Sequence, residues 1–485
     1  MNRIFPIAHV LGMVVMLFSF AMLAPLGLSW WLQDGATFAY DEAVAVTFLS
    51  GLSVWLGTRR HKSELKIRDG ILLVVLIWSV LAAFATIPLL VYLPDLSFTD
   101  AYFETISGLT TTGSTVLSGL DALPPSINLW RAEMVWLGGM GLIVFAVAVL
   151  PLLGIGGRQL YKAETPGPMK DSQLTPRITE TAKGLWIVYS GITLACFLAY
   201  RWAGMDWLDA LIHAFSTMGL GGFSSHDASF GHFNSPLIES VSILFMLIAG
   251  INFATHFMAW RGKSFAVYRR DPEAGLFLAV TLSSCLGIAV FLWWHEVYAD
   301  FLPALRFATF NVVSIATSTG YANTDYNLWP IFAPLWMLFL SSFASSSGST
   351  GGGIKMIRAQ LLYKQVYREM EKLLHPNGVI PTKLGGQVVP NKILYSVLAF
   401  LFIYVASIVA MTLLMVASGL GAVTAFSAVV ASINNTGPGL NEVGPATTYA
   451  VLTDFQTWVC TFAMLLGRLE LFTLLIVFTP AFWRK

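Results

Sequence analysis

Four segments of this 485-residue chain share a pattern of residues suited to holding a cation without charged ligands. They read DAYFETISGLTTTGST, DALIHAFSTMGLGGFS, FATFNVVSIATSTGYA and TAFSAVVASINNTGPG, and they align on Gly113, Gly222, Gly320 and Gly437. Twelve residues upstream every copy has alanine: Ala101, Ala210, Ala308 and Ala425. Six upstream every copy has a small residue: Ser107, Ser216, Ser314 and Ala431. The residues just before the glycines are Thr111 and Thr112, Leu220 and Gly221, Ser318 and Thr319, and Asn435 and Thr436, which supply carbonyl and neutral side-chain oxygens but no fixed charge. Glycine admits backbone angles closed to other residues, so each segment can pass from helix into an extended stretch whose carbonyls face a common axis. Stacked rings of neutral carbonyls replace the hydration shell of a weakly hydrated monovalent cation such as K⁺. A hard divalent cation would call for carboxylates, and the residues around the four glycines include none. Glu104 and His213 stand nine residues before their glycines, where the other copies have Asn311 and Ala428; packing behind the carbonyls is the expected role there. Small residues that let helices approach closely would explain one copy, but four in-register copies point to a shared task.

Such segments need a scaffold, and the composition says which kind. The chain is 56% hydrophobic and only 11% charged, with a mean hydropathy of +0.69, whereas about a quarter of a soluble chain is charged. A soluble enzyme or binding module is excluded. The 28 basic and 27 acidic residues leave a net charge of +1, which offers no nucleic-acid-binding character. Cys196, Cys285 and Cys460 sit in apolar stretches without ligand or disulfide spacing.

Ten apolar runs have the length of about twenty residues that crosses a bilayer: 5–32, 40–58, 71–93, 131–154, 185–204, 237–260, 274–298, 329–350, 393–419 and 449–482. The first exceeds a secretory h-region and is expected to be retained. Basic residues gather in alternate connections, at 59–68, 157–183, 261–271 and 355–383, so these and both termini are expected on the cytoplasmic side. Each glycine segment lies between two runs, which gives four units of the same orientation and disfavours an inverted-repeat transporter. Non-helical backbone at membrane depth is tolerated only where it is buried in protein or lines a wet cavity. The expected fold is therefore an all-α polytopic membrane protein. Two extra helices (1–68) precede four span, short segment, span repeats (69–183, 184–272, 273–390 and 391–485) around one pore.

Two features below this site stand out. SSFASSSGSTGGGIK, from Ser341 to Lys355, should unwind a helix, since each glycine disfavours helix by about 1 kcal/mol relative to alanine. It lacks the glycine, lysine, Ser/Thr order of a nucleotide-binding loop. Unwound backbone there would line the cavity beneath the carbonyls and obstruct it. Arg468, deep in the last run, is costly in hydrocarbon and is a functional residue by default. A guanidinium under the carbonyls would repel K⁺ and could donate to loop carbonyls, while Glu470 is on another helix face and no intrahelical partner.

Four such segments, each with one filter glycine between two spans, resemble the Trk/Ktr/HKT superfamily of cation transporters. The two extra N-terminal spans, the HPNGVIPTKLGG stretch and the glycine-rich break in the third repeat strengthen the likeness, which covers the whole chain. The resemblance implies K⁺ preference, because serine at the first filter position goes with Na⁺ permeation and this chain has Gly113. It also implies that Ala344, Ser345, Ser346, Ser347, Gly348, Ser349, Thr350, Gly351, Gly352 and Gly353 form an intramembrane gating loop. A homodimer on a cytoplasmic TrkA-type ring of nucleotide-binding regulatory subunits, in a bacterial inner membrane, is implied as well. No cofactor is expected on the chain itself, K⁺ being its transported substrate. A secondary transporter coupling K⁺ to protons or Na⁺ is the alternative, and it would want a titratable residue on the path. An intramembrane enzyme is disfavoured: His213, His226, His232 and His256 show neither HExxH spacing nor a paired nucleophile motif.

Overall fold

The computed structural model describes residues 4–60, 65–141 and 178–484. The second half of the run 131–154 and most of the basic segment 157–183 lie outside the described residues. In hydrocarbon every backbone donor and acceptor must be satisfied within its own segment, and the long apolar runs accordingly form helices. Five of the described helices are long and apolar enough to cross a membrane: Ile4–Leu32, Arg68–Tyr92, Ala182–Ala203, Ala274–Trp294 and Asn391–Ala417. Two bent pairs raise the number to seven. Thr37–Thr58 is also a continuous helix, with Asp41 and Glu42 near its start lowering its apolar character. The described β-structure is one hairpin, Lys383–Leu384 paired with Gln387–Val388, turned by Gly385 and Gly386, both at positive φ as a two-residue hairpin turn requires.

The expectation of plain spans at 237–260 and 449–482 is corrected. Pro236–Ala249 and Phe253–Gly262 meet at 90°, and Asp454–Arg468 and Phe472–Phe478 at 111°. At the first bend the Asn252 side chain accepts from the Ala254 N–H and starts a new helix. At the second, Glu470 and Leu471 take positive φ, which ends an α-helix. Arg468 is thus the last residue of its helix, not a mid-span residue, and sits where the helix dipole favours a cation. In the third repeat the helix Phe332–Phe343 stops ahead of the serine–glycine run. In the first, Pro125–Trp136 passes into a π-helical turn at Leu137–Gly141. The second and fourth repeats therefore bend their second helix and the third breaks it, while the first changes to a π-helical turn; composition marked only the third.

The four glycine segments each begin with a short helix: Phe98–Leu109, Trp207–Gly219, Phe301–Ala316 and Ala422–Ile433. Two apolar clusters hold them. One joins the N-terminal helices to the first and fourth repeats. The other joins the second and third.

Candidate functional site: a fourfold glycine ring above a buried loop

Each short helix ends in the same hydrogen-bonded motif. The N–H groups of Thr111, Leu220, Ser318 and Asn435 donate to the carbonyls three residues back, and those of Thr112, Gly221, Thr319 and Thr436 donate to the carbonyls of Ser107, Ser216, Ser314 and Ala431. These paired bonds form a Schellman termination, which requires a left-handed residue after the helix. Thr111, Leu220, Ser318 and Asn435 supply it, with φ of 58°, 54°, 59° and 51°. The carbonyl of the small residue six before each glycine accepts the closing bond. The reference glycines are again at positive φ, 82°, 47°, 90° and 95°. Alternating the backbone's handedness at every second residue turns successive carbonyls toward the same side.

The four strands meet one another. A Cβ built on Gly113 would lie under 3.0 Å from the Gly221 carbonyl oxygen; on Gly222, from that of Thr319; on Gly320, from that of Thr436; and on Gly437, from that of Thr112. The contacts run from repeat one to two to three to four and back to one, which closes a ring. The side chains turn away from it. The Thr112 and Thr319 hydroxyls bond those of Thr110 and Thr317, at 2.8 and 2.7 Å, and Asn435 Nδ2 donates to Thr112 Oγ1 and to the Met464 carbonyl. One position breaks the symmetry. The Gly437 carbonyl accepts from Ser114 Oγ at 2.8 Å and from Tyr449 OH at 2.9 Å, so its two lone pairs are engaged by protein.

The run Ala344 to Lys355 lies directly beneath, non-helical and largely buried. Thr350 Oγ1 donates to the Met218 carbonyl at 3.0 Å, and the Gly352 N–H to Ser318 Oγ at 2.7 Å. A Cβ on Gly351 would press on the Thr317 carbonyl, 2.8 Å away. Ser345 Oγ donates across the loop to the Gly352 carbonyl. The Ser346 N–H reaches the Gly250 carbonyl, and the Gly348 carbonyl accepts from Phe253, so the loop also braces the bend of the second repeat. Arg468 closes the arrangement. Its guanidinium donates to the Thr350 carbonyl at 3.1 Å, to Thr111 Oγ1 at 3.3 Å, to the Gly139 carbonyl at 2.8 Å and to the Gly138 carbonyl. It does not snorkel to a surface; it joins the loop, the underside of the ring and the π-helical turn.

A family profile described as TrkH, a cation transport protein, matches residues 37–485. The chain belongs to this family. It is 45% identical over 480 residues to the Trk system potassium uptake protein TrkH of Salmonella typhimurium strain LT2, covering 99% of each chain. The Trk system potassium uptake protein TrkG of Escherichia coli K12 is 37% identical, with 99% of this chain and 98% of that one covered. The crystal structure of the potassium transporter TrkH from Vibrio parahaemolyticus superposes with a TM-score of 0.89 at 42% identity, over 99% of this chain and 100% of that one.

The position nine residues before each glycine lies behind the ring, and the structure supplies partners for it that the sequence did not mark. Behind each ring strand a polar side chain of the short helix grips the chain just beyond the glycine. Glu104 accepts from Thr115 Oγ1 and from the Val116 N–H. His213 Nε2 lies 2.9 Å from Ser224 Oγ. Asn311 Nδ2 donates to Asn323 Oδ1. The fourth copy has Ala428, and its neighbour Ser427 accepts from the Leu440 N–H instead. Arg131 ties two of these grips together: it donates to Glu104 at 2.8 Å, to the Ser224 carbonyl at 3.0 Å and to Thr115 Oγ1 at 3.2 Å. Its side chain is 1% exposed and that of Glu104 0%. Removing one member of a buried ion pair costs about 3–5 kcal/mol. Arg131→Met and Glu104→Ala are each expected to lower the melting temperature of the detergent-solubilised protein by several degrees; an unchanged melting curve for both would show that the pair does not hold the ring. Below the ring, Lys355 Nζ donates to the Gly351 carbonyl, and Glu273 accepts from the Ser347 and Ile357 N–H groups, both at 2.9 Å. Lys355 was visible in the sequence only as a residue that spoils a nucleotide-loop pattern, and Glu273 had no signal because its partners are backbone groups far along the chain.

Proposed function

We propose that this chain takes up K⁺ across a bacterial inner membrane through the axis of the glycine ring, in a channel-like manner, with the loop beneath it as the gate. The observation that carries the reading is the closed cycle of four glycine-to-carbonyl contacts, built from three-residue strands, 111–113, 220–222, 318–320 and 435–437, that carry no carboxylate. Neutral carbonyl rings suit a weakly hydrated monovalent ion. Thr111, Thr112 and Gly113, Leu220, Gly221 and Gly222, Ser318, Thr319 and Gly320, and Asn435, Thr436 and Gly437 are the proposed K⁺-binding residues. At the glycine level one of the four carbonyls, that of Gly437, is already bonded to Ser114 and Tyr449. Residues 344–353 and Arg468 obstruct the path in this arrangement, and opening requires that the loop's hydrogen bonds to the second and third repeats and the guanidinium's contacts be exchanged for others.

The orientation and partners follow the same reasoning. Arg68 donates to the carbonyl of Arg484 at 2.7 Å, so the first basic connection and the C-terminus share one face, which the positive-inside rule assigns to the cytoplasm. The helix Met356–Leu374 leaves Tyr363, Val366, Tyr367, Met370, Leu373 and Leu374 exposed. Their spacing puts them on one helical stripe, and it suits the expected homodimer. A cytoplasmic nucleotide-binding ring of the TrkA type would dock on the same side.

Flux into liposomes of the purified chain, with K⁺, Rb⁺, Na⁺ and Li⁺ offered separately, tests the function. Uptake that follows the K⁺ or Rb⁺ gradient without a proton or Na⁺ current is expected. An obligatory co-ion current would replace the channel reading by coupled transport.

A further inference from the structure

Beyond the ring, on the side opposite the loop, the chain brings together His and Asp side chains that K⁺ coordination does not use. Asp121 lies in the connection after the first glycine segment; His226 and His232 follow the second. Their ligand atoms all fall within 4.8 Å of one another. We propose that Asp121, His226 and His232 bind a divalent transition-metal ion of the Zn²⁺ class and so clasp the first repeat to the second at the mouth of the path.

The donor set argues for this chemistry. Two imidazoles and one carboxylate suit Zn²⁺ and its borderline neighbours, not K⁺, Mg²⁺ or Ca²⁺, which prefer oxygen. Three protein ligands with a fourth position open to water is a recurrent Zn²⁺ arrangement. With metal–ligand bonds of about 2.0–2.1 Å, tetrahedral ligand atoms stand ~3.4 Å apart, so rotation of the side chains, chiefly the exposed Asp121 and His232, must draw the ligand atoms together to complete the site. His226 and His232 stack with ring centroids 3.5 Å apart and planes within 5°, so the two rings must tilt toward each other for their in-plane lone pairs to converge on one ion. His226 Nδ1 contacts Asp121 Oδ1, and His232 Nδ1 is 3.8 Å from the same oxygen.

A second carboxylate stands where an orienting group would be needed. His226 Nε2 is 3.1 Å from Asp209 Oδ2, and Asp209 is itself fixed by Ser225 Oγ. Metal-bound histidines characteristically donate their other N–H to such a carboxylate. The Asp121 side is also braced: its carboxylate accepts from the Asp227 N–H, while Asp227 accepts from the N–H groups of Gly119 and Leu120. The two outer segments already lean on each other, and a metal would lock that contact. His226 is four residues past Gly222, and the intervening Ser224 carries the Arg131 and His213 contacts that hold the ring.

The test uses the purified full-length protein in detergent micelles, titrated calorimetrically with Zn²⁺, and with Co²⁺ followed by its visible spectrum. One saturable site per chain is expected, with the absorption of a low-coordinate Co²⁺ centre. The His226 side chain is only 14% exposed, whereas Asp121 and His232 are 50% and 46% exposed, so His232→Ala and Asp121→Asn can be made without disturbing a buried group. Each should weaken Zn²⁺ at least tenfold. Asp209→Asn, which orients but does not ligate, should weaken it about 10–100-fold and leave the Co²⁺ spectrum's shape intact at saturation. His295→Ala, far along the chain, should bind as the parent does. No Zn²⁺ binding, or binding indifferent to both His232→Ala and Asp121→Asn, overturns the site. The effect on transport rests on the proposed K⁺ path: external Zn²⁺ should slow Rb⁺ uptake by the parent and not by His232→Ala. Binding with unchanged uptake would overturn the coupling alone, since calorimetry does not depend on the path.

Discussion

Serine in place of Gly320 is expected to lower the K⁺ to Na⁺ permeability ratio by about tenfold, the change that ~1.4 kcal/mol of differential stabilisation produces. Gly320 has φ of 90°, and a non-glycine residue held in left-handed geometry costs roughly 1–2 kcal/mol. The larger effect is steric. The new Cβ would collide with the Thr436 carbonyl oxygen and with Pro438 Cδ, 2.9 Å away. That carbonyl belongs to the adjoining repeat, so the substitution displaces a proposed ligand that it does not itself carry. Gly113→Ser meets the Gly221 carbonyl at 2.5 Å in the same way, whereas at Gly437 the closest atom is the Thr112 carbonyl oxygen at 2.9 Å. The losses should therefore rank with Gly320 and Gly222 most affected and Gly437 least. Reversal potentials of the reconstituted variants under K⁺/Na⁺ gradients measure the ratio. Unchanged ratios in Gly113→Ser, Gly222→Ser and Gly320→Ser together would remove the ring from the permeation path.

Loss of the Arg468 guanidinium is expected to raise basal Rb⁺ flux about tenfold or more. Charge-assisted hydrogen bonds each contribute about 1.5–3 kcal/mol, and Arg468 donates to the Thr350 carbonyl of the loop and to Thr111 under the ring. Arg468→Ala removes both holds and the positive charge at once. Deleting Gly348–Gly353 removes the Thr350, Gly351 and Gly352 contacts to the short helices and should raise flux similarly. Selectivity should change far less than flux in either variant, because the glycine-to-carbonyl contacts of the ring involve neither Arg468 nor the loop. Combined, the two changes should give less than the sum of their separate effects, since they break one shared contact. If both variants fold and conduct no faster than the parent at saturating K⁺, the loop is a structural kink and the gate lies elsewhere.

Much of this was legible in the sequence, for a physical reason. Bilayer crossing demands long apolar runs, and close approach of backbone to an axis demands glycine, so both leave composition signals that survive without any alignment. The fourfold spacing of alanine, small residue and glycine marks one repeated unit, a short helix closed by the same Schellman bonds ahead of each glycine. The serine–glycine run declares itself in the same way, because its propensities are wrong for helix. Arg468 declares itself because a cation in an apolar run demands an explanation.

What composition could not decide was which groups these features meet. The bends at Gly250–Asn252 and Glu470–Leu471 escape notice because two or three residues at a break barely lower the hydropathy of a long run. The Glu104–Arg131 pair joins residues of two helices, and Glu273 grips the backbone of Ser347 and Ile357, whose identities carry no trace of the bond. The cyclic order of the ring, the double engagement of the Gly437 carbonyl by Ser114 and Tyr449, and the meeting of Asp121 with His226 and His232 are all contacts between repeats. The sequence alone determined that four like segments, each ending in a glycine, sit in a membrane scaffold above a helix break, since these follow from each residue's own conformational and solvation preferences. Only the tertiary structure decided which carbonyl faces which glycine and which donors hold the loop, because those are pairwise distances between segments that lie far apart along the chain.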